Sequence, residues 1–141
     1  MINTNVTLQQ FNALNKNTLM EHLGIEYTEI GKDYIKGKMP VDHRTHQPMG
    51  LLHGGASVAF IESLGSAGSA LCIDLSKTNI VGIEVNANHL KSVKTGYVYC
   101  TAKLIHEGKT THLWEAKIVN ESNELVCVGR LTVLVKHKNN I

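Results

Sequence analysis

Between Gln47 and Ile73 the chain carries one formally charged side chain, Glu62, and one imidazole, His53. The rest of this stretch is mostly Gly, Ala, Ser and aliphatic residues. From Gly54 onward the pattern reads as a long helix, reaching to about Ile73, with Gly54 and Gly55 at its entrance. Ala56, Ala59, Gly65, Ala67, Gly68 and Ala70 are poor choices for a helix in water, where Gly costs about 1 kcal/mol relative to Ala. They suit a helix that a curved sheet approaches closely on several sides. A lone carboxylate in such a helix has no solvated face of its own, so it is paired, neutralised or put to chemical use.

The flanking sequence supplies the sheet. Thr7-Leu8-Gln9-Gln10 has the pattern of a capping box before a short amphipathic helix. Thr18-Leu19-Met20-Glu21 repeats the signal, with Gly24 as its stop. Strand-like runs follow at Gly24 to Ile30 and Tyr34 to Val41. After the long helix come four more, at Ile80 to Val93, Tyr97 to Ile105, Thr111 to Val119 and Leu125 to Val135. In the first of these, Val81, Ile83, Val85 and Ala87 are expected on one face. Leu125 to Val135 is apolar on both faces, as an interior strand is. The short breaks Lys94-Thr95-Gly96, Gly108-Lys109-Thr110 and Glu121-Ser122-Asn123 suggest antiparallel hairpins. An antiparallel sheet layered on one long helix is an α+β fold. With 141 residues and no repeat or linker, residues 1–141 read as one domain.

Several function classes fall away. A net charge of +2 with 5% aromatic residues leaves no dedicated nucleic-acid surface. Met1 to Asn5 is polar and lacks a signal-peptide pattern. Glu62 and four Ser make Gly54–Ile73 a poor membrane span. A cytoplasmic protein is expected, with no membrane or nucleic-acid partner. Cys72, Cys100 and Cys127 lie far apart in apolar runs and are expected as buried reduced thiols. His43, His46 and His53 lack the spacing of a metal site, and no phosphate loop or dinucleotide fingerprint is present. Neither a metal nor a cofactor is expected.

His53-Gly54-Gly55, with an acid nine positions after the His, resembles hotdog-fold acyl-CoA thioesterases. Met39-Pro40-Val41-Asp42, Arg44-Thr45, Gln47-Pro48, Gly50 through Ser57, Glu62-Ser63, Gly65-Ser66 and Asn86-Ala87-Asn88-His89 extend the resemblance. Within that family they are similar to the group of 1,4-dihydroxy-2-naphthoyl-CoA hydrolases of menaquinone biosynthesis and enterobactin proofreading thioesterases. The likeness spans nearly the whole chain. It implies a hotdog fold, an antiparallel sheet wrapped around one central helix. It implies hydrolysis of an acyl-CoA with an aromatic acyl group, 1,4-dihydroxy-2-naphthoyl or similar. It also implies a homodimer or dimer of dimers (a homotetramer), with active sites between subunits. The alternatives are a proofreading thioesterase that clears misloaded aryl groups from a carrier protein, and a non-catalytic acyl-ligand module. A dehydratase of the same fold does not share the interval from His53 to Glu62.

The resemblance assigns roles. Glu62 is the nucleophile or general base, against the plainer reading of a structural Glu satisfied by neighbours. Phenylacetyl-CoA-type relatives carry Asp there, so Glu favours naphthoyl and hydroxybenzoyl substrates. The Gly54 N–H polarises the thioester carbonyl, which suits a helix entrance; a tight turn alone also accounts for this Gly. Gln47 and His53 lie near the same carbonyl, though a loop His is commonly just satisfied locally. Ser66, four residues after Glu62, shares its helix face and is expected to hold the carboxylate or a water. Gly82, His89, Leu90, Lys91 and Ser92 match CoA contacts. His106, Glu107, Gly108, Lys109, Thr110 and Thr111 match a turn that receives the nucleotide. Glu107 adds an acid there, and any one Lys of these turns is equally well read as solvated charge.

Overall fold

The structure is a computed structural model and describes residues 1–138. Two short helices, α1 (Leu8–Ala13) and α2 (Leu19–Leu23), precede strands β1 (Glu26–Ile30) and β2 (Tyr34–Pro40). The long helix α3 (Gly54–Ala70) leads into β3 (Thr78–His89), β4 (Tyr97–Glu107), β5 (Thr111–Val119) and β6 (Leu125–His137). The strands form one antiparallel sheet in the order β1-β2-β4-β5-β6-β3. Its inner face curls around α3, which packs on β2, β3, β4, β5 and β6. This is the hotdog arrangement.

The small residues of α3 show why it can lie so deep. A Cβ at Gly65 would come within 2.6 Å of the Leu131 side chain, and one at Gly68 would overlap the Trp114 indole. Phe60, Ile61 and Leu64 are fully buried between them. Ile35, Met39, Val98, Trp114, Ile118 and Leu131 complete the core from the sheet side. Burying side chains of this size supplies about 1.5–3 kcal/mol each.

Several boundaries differ from the sequence expectation. The Thr7–Gln10 capping box forms, but Thr18 does not cap α2. Its hydroxyl donates to the Asn15 carbonyl at 2.6 Å, and Glu21 instead takes the Asn17 N–H at 2.6 Å. Gly24 does end α2, at φ +70°. Helix α3 stops at Ala70, not Ile73, because Cys72 turns its N–H to Ser69 and Asp74 opens a tight turn. Strand β3 ends at His89 rather than Val93, since the Leu90 and Lys91 N–H groups both turn to the Val126 carbonyl.

The break at Lys94–Gly96 is no hairpin. Strand β3 pairs with β6, and β4 with β2 and β5, so the chain crosses the sheet here. The loop after β2 holds this crossing: Val41 donates to Gly96, Leu52 to Val93, and His46 bonds the Lys94 carbonyl.

A bulge between Gly82 and Glu84 breaks the expected alternation of β3. It turns Val81 and Ile83 outward, each 56% exposed, while Val85 and Ala87 face the core. Strand β3 is an edge strand, so these two apolar side chains and an unpaired backbone edge lie together. Cys100 and Cys127 are buried, Cys72 only half so, and all three are free thiols. Burial raises the pKa of each.

Candidate active site

The entrance of α3 is nearly saturated. His53 is its N-cap, with Nδ1 accepting the Gly55 N–H at 2.7 Å. The His53 carbonyl takes the N–H groups of Ala56 and Ser57, at 3.0 and 3.3 Å. Among the described residues this leaves the Gly54 N–H without a partner, at the positive end of the helix dipole. A neutral imidazole that accepts through Nδ1 carries its proton on Nε2, so exposed His53 presents an N–H donor. Gln47 is fixed in the same way. Its Oε1 accepts the Met49 N–H in a turn that Gly50 closes at φ +74°. The Gln47 amide NH₂ is therefore the end left to donate.

His89 completes this group. Its Nε2 lies 2.8 Å from where a Gly54 Cβ would stand, so the imidazole packs against Gly54 and a side chain there would have to displace it. Gln47, Gly54, His89, Leu90, Lys91 and Ser92 line one cavity of about 400 Å³. Lys91 ion-pairs with Glu124 there. That contact, with a hydrogen bond from Asn120, holds the Glu124 carboxylate below its usual pKa.

Glu62 is elsewhere. It lies two turns along α3, half-buried, in a different cavity of about 440 Å³. This cavity runs between α3 and the α1–α2 segment, and its walls are mostly apolar. Ser66 shares it, but no hydrogen bond joins Ser66 to Glu62 among the described residues. Gly82 touches the carboxylate: a Cβ at that position would collide with Glu62 Oε1. The β3 bulge thus lies against the site and aims a residue without a side chain at it.

Glu62 stands eight positions after Gly54 on the helix, about 12 Å along the axis at 1.5 Å per residue. On this chain the two line different cavities.

Glu107, Gly108 and Lys109 line a third cavity, of about 420 Å³, beside Asp74 and His137. His106, Thr110 and Thr111 belong to the same hairpin, where the Thr111 carbonyl accepts the Gly108 N–H at 2.9 Å. The sequence-derived residues therefore fall into three places on one chain. Among the described residues no cluster of three His, Cys, Asp or Glu is arranged to hold a metal ion, and no helix is long and apolar enough to cross a membrane.

Two groups escaped the sequence reading. Asn15, Met20 and Tyr27 line the Glu62 cavity, although nothing in their spacing marked them. Burial pushes the Tyr27 pKa up to about 12. Ser69, His112 and Trp114 form a buried polar cluster: the Trp114 Nε1–H donates to Ser69 Oγ at 2.8 Å, and Ser69 bonds His112 Nδ1 at 3.1 Å. Burial lowers the pKa of His112, against an opposing pull from Glu107.

The sequence pattern of the thioesterase superfamily matches residues 49–127. The chain is 41% identical to the 1,4-dihydroxy-2-naphthoyl-CoA hydrolase of Escherichia coli, over 92% of this chain and 95% of that protein. It is 44% identical to the proofreading thioesterase EntH of Cronobacter turicensis, over 92% and 94%. Its fold superposes on the crystal structure of a mutant thioesterase from Pseudomonas aeruginosa with a TM-score of 0.94 and 44% identity, covering 97% of this chain and 99% of that one. The chain belongs to the thioesterase superfamily and is an enzyme that hydrolyses thioesters.

Proposed function

We propose that the chain hydrolyses acyl-CoA thioesters with an aromatic acyl group, 1,4-dihydroxy-2-naphthoyl or a similar hydroxyaryl group, at sites built from two subunits. The observation that carries this reading is the separation of Gly54 from Glu62 into two cavities on one helix. A two-fold partner, joined edge to edge through β3, runs its helix antiparallel and brings its own Gly54 toward Glu62. The bare β3 edge with Val81 and Ile83 supports that contact.

In such a site the thioester oxygen lies on the Gly54 N–H of one subunit, with the Gln47 amide and the His53 Nε2–H as nearby donors. These groups stabilise the oxyanion as it forms; removing one such donor typically costs about 10²–10³ in rate. Glu62 of the other subunit acts on the carbonyl carbon by one of two routes. As a base it takes a proton from water, the hydroxide adds, and the tetrahedral intermediate expels the CoA thiolate, which takes up the proton. As a nucleophile it forms an anhydride and releases the thiolate, and water then cleaves the anhydride. Both routes consume one water and yield acid and thiol. The acyl group fills the cavity beside Glu62. Its volume suits a one- or two-ring aryl group, and its apolar walls suit burial of that group. The phosphorylated nucleotide stays at the surface near Lys109. Residues 1–141 act as one domain in this scheme.

Mixing two inactive variants tests it. Glu62→Gln removes the carboxylate, and Gly54→Val blocks the carbonyl site. Neither variant alone should release thiol from an aryl-CoA. After co-refolding, heterodimers hold one intact site, so about a quarter of wild-type activity should return. No recovery, with mixed dimers demonstrated by mass, places both residues in one subunit's site and overturns the arrangement.

A further inference from the structure

The cavity beside Glu62 contains two polar groups for which chemistry at the thioester has no use. Asn15 is 6% exposed and lines the cavity. Its Nδ2 donates to the Ile25 carbonyl at 3.0 Å, but its Oδ1 is buried without any partner. Tyr27 is 4% exposed and lines the same cavity. Its hydroxyl reaches only the Met20 sulfur, at 3.2 Å, and a thioether is a weak acceptor. The remaining wall near them is apolar: Phe11, Leu14, Leu19 and Ala67.

The two residues line one cavity, and their backbone surroundings are tied together. The Asn12 side chain brackets Tyr27, accepting its N–H at 2.8 Å and donating to its carbonyl at 2.9 Å. Asn15, one helical turn on, makes the next rung at Ile25. Ile25 and Tyr27 lie two residues apart, about 7 Å in extended chain. The chain thus spends two Asn side chains on fixing this corner and leaves one carbonyl oxygen bare. Buried polar atoms are paired as a rule, and an exception in a ligand cavity is placed to accept from a donor that the ligand brings.

We infer that Asn15 and Tyr27 recognise a hydroxyl on the acyl group, at the end remote from the thioester. A hydroxyl is the group that fits both, donating to Asn15 Oδ1 and accepting from the Tyr27 O–H. Leu14 and Leu19, which line the same cavity, are 69% and 60% exposed. The inference rests on the aryl-CoA reading above and adds to it the residues that select hydroxylated over plain rings. A site that hydrogen-bonds a substrate hydroxyl discriminates against the analogue lacking it far more strongly than apolar fit does.

The test separates binding from turnover. Dissociation constants of benzoyl-CoA and of 3- and 4-hydroxybenzoyl-CoA are measured by calorimetry on Glu62→Gln, which holds the thioester intact. At least one hydroxylated ligand should bind about tenfold or more tighter than benzoyl-CoA. Adding Asn15→Leu should reduce that ratio to near one, and adding Tyr27→Phe should lower it several-fold. Asn15→Leu also removes the bond to Ile25; if that variant fails to fold, Tyr27→Phe decides, because its hydroxyl holds only a thioether. Equal affinity for all three ligands, or a preference unchanged by Tyr27→Phe, overturns the inference. Thiol release by the unmodified enzyme is assayed on the same ligands. Turnover of all three at equal rates leaves the aryl-CoA reading standing and sinks the hydroxyl one. No turnover of any, with hydroxyl-selective binding retained, does the reverse.

Discussion

Two polar groups on α3, Glu62 and Ser69, lie about two turns apart and have opposite surroundings. Ser69 is fully buried and bonded to both Trp114 and His112. Glu62 is half-buried, faces an apolar cavity, and has no hydrogen bond or ion pair among the described residues. The same helix thus carries a saturated polar cluster and an open one. A saturated cluster fixes the strands around the helix and has nothing left to offer a substrate. An open carboxylate makes no bond that stabilises the folded chain, and under the proposed reading it serves the substrate. The contrast sorts every further polar group in the molecule: Gly54 N–H and Asn15 Oδ1 are open, while the Gly55 N–H and the Thr45 hydroxyl are satisfied.

The largest effect expected from this contrast is on rate. Glu62→Gln should lower kcat by about 10²–10⁴-fold, the range for removing a general base, and leave the thermal midpoint unchanged. Glu62→Asp should retain part of the activity, limited by its shorter reach. Thiol release and a melting curve on the same preparation decide the matter. A marked loss of stability in Glu62→Gln would place Glu62 with Ser69 and end the distinction.

Ser69→Ala should behave in the opposite way. It leaves the Trp114 N–H and the His112 ring buried without their partner, at a cost of about 2–4 kcal/mol in unfolding free energy. Turnover per folded molecule should stay near wild type, since Ser69 itself lines none of the three cavities assigned to the substrate. Urea unfolding with activity measured at low denaturant reads both quantities. A variant that is as stable as wild type but inactive would make Ser69 part of the site.

His112 gives the comparison a pH axis. Burial lowers its pKa below the ordinary 6.5, so the folded protein holds it neutral where the unfolded chain takes a proton. Its contribution to stability is therefore complete above the unfolded value. It is lost as pH falls from about 6.5 toward the lower folded value, with a slope of at most about 1.4 kcal/mol per pH unit from one proton. Urea midpoints between pH 7.5 and pH 5 should show this loss in wild type and a shallower one in His112→Gln. Identical slopes would assign the acid sensitivity to other groups.

The sequence disclosed the open group more readily than the closed one. Glu62 is conspicuous because nothing near it in the chain is charged. Helix–sheet layering was equally legible, since α3 has small residues throughout, β4 and β5 alternate, and β6 is apolar on both faces as an interior strand is. Ser69 was one Ser among four in the helix, and its partners lie on a strand more than forty positions away. Asn15 and Tyr27 were invisible for the same reason, because their meaning comes from a cavity that forms only on folding. Strand order was misread at Lys94–Gly96, where a short break suggested a hairpin and the chain instead crosses the sheet. Loop length records how far the chain travels, and bonds from the loop after β2 decide where it goes. The face of Ile83 was also lost, since one extra residue in β3 reverses the alternation and no pattern of period two can show it.

The smallest effect concerns two lysines that the same contrast separates. Lys91 is held by Glu124, so its charge is already engaged. Lys109 is exposed at the β4–β5 turn, in the third cavity, with no ion pair among the described residues. If open groups serve the substrate, Lys109 is the better candidate for the nucleotide phosphates. Its attraction acts through water and is screened beyond about 8 Å at physiological salt, so it is modest. The contact is the same before and during reaction, since the nucleotide lies far from the breaking bond. Lys109→Ala should therefore raise KM for an aryl-CoA several-fold and leave kcat nearly unchanged. The increase should shrink as salt is added, and a short thioester without the nucleotide should not feel the substitution. Lys91→Ala should have a smaller effect on KM than Lys109→Ala, because the lost charge was already balanced. Equal effects of the two substitutions, or a fall in kcat alone, would show that open and engaged charges at the surface do not follow the rule that divides Glu62 from Ser69 inside.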